Sequence, residues 1–128
     1  MTALVRVPGS FSVARLSPDA PIPPWAMTPS PLTSITRTTD ELSIVCEDEL
    51  VPSGVYAVRD FAALRVVGVI DFGVIGLLAT LTRALADAGV SVLAFSTFDT
   101  DYLLVRTADF PRARDALASV AVLVDERQ

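Results

Sequence analysis

The sequence predicts an α+β protein of the ferredoxin-like βαββαβ class, built as two such modules in tandem. Two patterns and one bound carry this expectation. In the second half, strand-like and helix-like periodicities follow the order β-α-β-β-α-β, the arrangement that makes a four-stranded antiparallel sheet with helices on one face. In the first half the strands recur, but proline-rich or short connections stand where full helices belong, so that module is degenerate. The bound is size: 128 residues, 52% of them hydrophobic and 20% charged, suit one compact domain or two small modules sharing a core. The expected modules are 1–58 and 59–128, with the break near Ser53 to Asp60.

The first strand is "SFSVARLS", rich in β-formers, with Phe11 and Val13 and then Ala14 and Leu16 alternating across a phase slip. Six prolines follow between Pro18 and Pro31. They exclude a long helix or a central strand. Ile22 and Trp25 make this piece an ordered loop over apolar surface. "LTSITRTTDELSIVCE" reads as two strands around Thr39-Asp40, with Leu42, Ile44 and Cys46 on one face. "DELVPSG" is a short helical turn or loop, and "VYAVRDFAALRVVGVID" holds one or two further strands, with Leu64 and Val66 alternating against Arg65 and Val67.

A helix is predicted over "GVIGLLATLTRALADAG", because Val74, Leu77, Leu78, Leu81, Ala84, Leu85 and Ala88 form one apolar stripe. Gly89 is its C-terminal cap. "VSVLAFST" is apolar on both faces and reads as a central strand. "FDTD" is a hairpin turn, and "YLLVRT" is the returning strand. "ADFPRARDALASV" opens a second helix with Pro111 in its first turn and Ala113, Ala116, Leu117 and Val120 inward. "VAVLVDE" closes the chain as a last strand.

Composition excludes several functions. The net charge is −5, so phosphate backbones are poor partners and nucleic acid is not expected. There is no histidine and no lysine, no nucleophile elbow and no P-loop. The sequence therefore proposes no catalytic residue and no cofactor. Cys46 is the one cysteine and reads as a small buried hydrophobe. The acidic run Asp40, Glu41, Glu47, Asp48 and Glu49 lacks the spacing of a calcium loop and reads as a solvated strand end. The longest oily run is broken by Arg65, Asp71 and glycines, so no membrane span is expected. No leader pattern opens the chain, and a cytoplasmic location is the expectation.

Two places carry candidate chemistry. Asp71, Gly73 and Gly76 sit where a strand hands over to a helix. Glycine early in a helix costs about 1 kcal/mol relative to alanine. The two glycines there serve either special backbone angles and close packing, or bare amides that bind a carboxylate at a helix N-terminus. The hairpin "STFDTDYLLV" carries Thr97, Phe98, Asp99 and Asp101. Its carboxylates either punctuate the turn or, at Asp101, hold a ligand's ammonium.

On these residues the chain resembles the ACT domains, small ligand-sensing modules that bind amino acids. It looks most like the paired-ACT subfamily of aspartate-kinase regulatory domains and CASTOR-type arginine sensors. The matching pieces are "DFGVIGLLATLTRALADAGVSVLAFSTFDTDYLLV", "PIPPWA" and "SITRTTDELSIVC". The resemblance implies tandem βαββαβ modules with an amino acid, or a related metabolite, at the seam between them. Val74, Ile75 and Gly76 match the helix-start part of the ligand site, and Thr97, Phe98 and Asp101 the strand-end part. Asp71 matches an acidic position before the helix, while Ser34 and Ile35 lie in the first module's matching strand. A non-enzymatic sensor, self-associating through ACT sheets or helices, is what the resemblance implies. A protein–protein assembly module without a ligand is the alternative.

Overall fold

The structure is a computed structural model and describes residues 1–124. Its elements are β1 (Thr2–Leu16), β2 (Ser34–Arg37), β3 (Leu42–Glu47), β4 (Ala57–Val66), α1 (Leu77–Asp87), β5 (Leu93–Ser96), β6 (Asp101–Arg106), α2 (Phe110–Leu117) and β7 (Ala121–Val124). Residues Asp125 and Glu126 of the expected last strand lie outside the described residues. The chain divides into two compact units. One is Pro8–Phe61; the other joins Met1–Val7 to the chain from Ala62 onward.

The larger unit is one ferredoxin-like α+β domain. It has the order β4-α1-β5-β6-α2-β7, and β4 lies beside β6, which lies beside the edge strand β5. Between β4 and β7 runs the start of β1, parallel to β7 with Thr2 opposite Ala121. The sheet positions Leu64, Val66, Leu103 and Val105 alternate toward the helices. There they meet Leu81 and Leu85 of α1 and Ala113 and Leu117 of α2. This apolar burial is the main stabilising term of the unit. Arg6 lies over the ring of Phe110, 4.2 Å from its centroid.

Helix α1 ends as its sequence demands. Gly89 adopts φ +73°, its N–H donates to Ala86 O, and the Val90 N–H donates to Leu85 O. These two bonds form a Schellman cap, and buried Val90 and Leu85 supply the apolar contact that accompanies it.

The other unit contains the rest of β1, antiparallel to β3 with Phe11 opposite Glu47, and β2, antiparallel to β3 with Ile35 opposite Ile44. Its core is Ala14, Ala26, Leu42, Ile44, Cys46 and Val51, with Trp25 of the proline-rich loop packed against it. Asp48 organises its polar groups. The Ser10 hydroxyl donates to Asp48 Oδ2 at 2.6 Å, the Ser12 hydroxyl donates to Oδ1, and the Asp60 N–H approaches both oxygens. Asp60 is held at φ +65°. Burial, reinforced by the charges of Asp48 and Glu47, pushes the Cys46 thiol above its ordinary range.

Four expectations change. First, the tandem is absent: one βαββαβ domain is present and no second ACT module accompanies it. Among the described residues the Pro8–Phe61 unit has strands and short 3-10 turns but no α-helix. The prolines between β1 and β2 remove the amide donors that a crossover helix needs. Second, β1 begins at Thr2 rather than Ser10. The strand runs through Pro8-Gly9, with Gly9 at φ +104°. Third, α1 begins at Leu77, so Val74 is half-exposed in the preceding turn and not on the helix stripe. Fourth, β5 is an edge strand and not a central one, with Leu93 38% exposed.

Candidate functional site

The residues between β4 and α1 fold as a turn because Asp71 supplies its own acceptors. The Gly73 N–H donates to Asp71 Oδ1 at 2.8 Å, and the Val74 N–H donates to Asp71 O at 3.0 Å. Gly76 then takes φ +85° as the residue before the helix, a left-handed conformation that L side chains resist. Its carbonyl accepts the first helical bond, from the Thr80 N–H at 2.9 Å. Among the described residues, no side chain caps α1. The amides of Leu77, Leu78 and Ala79 are therefore left at a helix end that carries partial positive charge.

The β5–β6 hairpin faces this helix end. Ser96 and Asp101 are paired in register, and the Ser96 hydroxyl donates to Asp101 Oδ1 at 2.5 Å. The loop between them is closed by the Thr97 N–H, which donates to Thr100 O at 2.8 Å. Buried Thr100 anchors it by donating its hydroxyl to Val66 O at 2.8 Å. The Ile70 N–H donates to Asp99 O at 2.7 Å, tying hairpin to turn. Phe72 and Phe98 meet edge to face across the same gap, with centroids 5.0 Å apart.

Between turn, helix start and hairpin lies a cleft of about 320 Å³. Asp71, Val74, Gly76, Thr97, Phe98 and Asp101 all line it. Thus six of the nine residues singled out by sequence are brought together. Ile75 is not among the lining residues and is 96% exposed. Ser34 and Ile35 lie on β2, in the other unit. The cleft is lined entirely from the domain that begins again at Ala62. Phe72 and Thr100 line it without having been singled out by sequence. Phe72 could have been found as the aromatic next to Asp71, whereas Thr100 depends on a long-range bond to Val66.

Chemically, the site offers hydrogen-bond donors for an anion at the helix start and a carboxylate for a cation at Asp101. Asp71, Asp99 and Asp101 line the cleft, and among the described residues no basic side chain does. No group of three or more histidine, cysteine, aspartate or glutamate side chains suited to a metal ion occurs among the described residues.

A family model described as the ACT domain matches residues 56–119, half of the chain. The chain belongs to the ACT-domain family. A second model, described as an N-terminal domain, matches residues 9–54. The two together replace the expected pair of ACT modules with one ACT domain and an N-terminal extension. No curated protein matches the chain. Among solved structures, a protein from Agrobacterium tumefaciens is similar at 35% identity and a TM-score of 0.91, covering 99% of this chain and 95% of that one. A Vibrio cholerae protein of unknown function is 18% identical with a TM-score of 0.74, covering 92% and 88%. The regulatory subunit of aspartate kinase from Thermus thermophilus, in a ligand-free form, is 13% identical with a TM-score of 0.61, covering 87% and 92%. The fold of this ACT protein thus matches non-catalytic regulatory domains. Among the described residues, no helix is long and apolar enough to cross a membrane.

Proposed function

We propose that this ACT protein is a non-enzymatic regulatory module that binds a small amino acid or a related zwitterionic metabolite in the cleft between α1 and the β5–β6 hairpin. One observation carries the reading: the start of α1, uncapped among the described residues, and Asp101 line a single cavity. In this reading the amides of Leu77 to Ala79 take the ligand carboxylate, aided by the helix dipole. Asp101, oriented by Ser96, takes the ammonium. Asp71 holds the turn that presents these amides, while Val74, Thr97 and Phe98 wall the cavity. A cytoplasmic location and self-association through the β5 edge or the helix faces belong to the same proposal.

The test is a thermal-shift screen of the twenty amino acids. A ligand at about a hundred times its dissociation constant adds roughly 2.7 kcal/mol of stability. At least one amino acid is expected to raise the melting temperature by several degrees, and Asp101→Asn to abolish that response. If none shifts the protein, or Asp101→Asn responds as the wild type does, the reading fails.

A further inference from the structure

The rim of the cleft is apolar to a degree that ligand binding inside it does not require. Phe72 is 76% exposed, Ile75 96% and Phe98 80%, and Val69 and Val74 are exposed beside them. Two phenylalanine rings at this exposure present on the order of 300 Å². With Ile75 and Val69 added, the patch reaches the size that marks interaction sites on soluble proteins. It is bounded by carboxylates, since Asp71, Asp99 and Asp101 lie among these residues and, among the described residues, no basic side chain lines the cleft they surround.

The geometry points to this rim as a docking surface for a cationic amphipathic segment of another protein. Apolar side chains of the segment would cover Phe72, Ile75 and Phe98, and arginine or lysine would meet the three carboxylates. Charge decides between occupants. A symmetric contact with a second copy would bring the same carboxylates together from both sides, which is repulsive. An anionic membrane surface is disfavoured for the same reason, and more so by a chain of net charge −5. Opposite charge around an apolar centre steers association and fixes register.

This goes beyond the ligand reading, because it concerns the rim and is tested with no amino acid present. A random peptide library is selected on the immobilised full-length protein. The expected result is enrichment of peptides that combine arginine or lysine with large apolar residues. Their binding to the soluble protein, measured by fluorescence anisotropy, weakens by about tenfold or more in Ile75→Asp and in Phe72→Ser. Asp99→Asn and added salt weaken it further. Ile75→Asp is expected to keep the wild-type melting temperature, since its side chain is almost fully exposed. The proposal is overturned if the enriched peptides are neutral or acidic, or if they bind both rim variants as tightly as the wild type. It is also overturned if sedimentation shows a concentration-dependent dimer that Ile75→Asp abolishes, or if phosphatidylserine vesicles bind the protein through this rim.

Discussion

Replacing Asp48 by alanine tests the polar centre of the Pro8–Phe61 unit. In the wild type one carboxylate accepts from two serine hydroxyls and is approached by the Asp60 N–H. Ser12 is fully buried, so its hydroxyl has no route to water once Asp48 is gone. An orphaned buried hydroxyl costs about 1–3 kcal/mol, and a hydrogen bond to a charged group contributes about 1.5–3 kcal/mol. Ser10 is half-buried and partly rehydrates. Asp48→Ala should therefore cost about 3 kcal/mol. With a urea m-value of about 2 kcal/mol/M, the midpoint falls by about 1.5 M. Ser12→Ala alone should cost about 1 kcal/mol, because Asp48 keeps Ser10 and Asp60. In the double variant no buried hydroxyl is orphaned, so the two costs overlap by about 1–2 kcal/mol. Equilibrium urea unfolding of the four proteins measures the cycle. A cost for Asp48→Ala below about 1 kcal/mol, or additivity within about 0.5 kcal/mol, refutes the reasoning.

Gly76→Ala is expected to destabilise by about 1 kcal/mol from its left-handed φ alone. The new Cβ would meet nothing within 4 Å, and a loss above about 3 kcal/mol would contradict that account. Cys46 is buried with its thiol pushed up, so stability is full below the unfolded thiol's titration and declines as pH rises above it. The unfolded chain ionises there while the native thiol stays protonated. The urea-midpoint advantage of wild type over Cys46→Ala should be largest at neutral pH and shrink through that alkaline range, and parallel curves would remove the linkage. Native Cys46 should resist thiol reagents at neutral pH and react on unfolding; rapid labelling of the folded protein would contradict its burial.

Local rules explain much of what the sequence revealed. Leu81 and Leu85 at helical spacing, Gly89 after the last turn and the FDTD hairpin each encode their own structure, because a period, a cap or a turn needs only neighbours in the chain. The resemblance to ACT domains named Asp71, Val74, Gly76, Thr97, Phe98 and Asp101 for a seam between two modules, whereas the structure gathers them around one cleft inside a single domain. What misled were features whose meaning is not local. Val74 continues the apolar spacing of α1, yet Asp71 draws the turn around itself and Gly76 delays the helix. The sequence pattern starts the first strand at Ser10, yet β1 starts at Thr2 because its two parts find sheet partners distant in sequence, β7 and β3.

By itself, then, the sequence determined the order of elements from β4 onward and the apolar faces of α1 and α2. Tertiary structure gathered the two walls of the cleft within one ACT domain rather than at a seam between two. It also made β5 an edge and placed the start of β1 between β4 and β7. Helix faces and turns are set by residues a few positions apart, whereas strand neighbours are chosen by hydrogen-bond partners far along the chain. That choice leaves no periodic trace in the residues that make it.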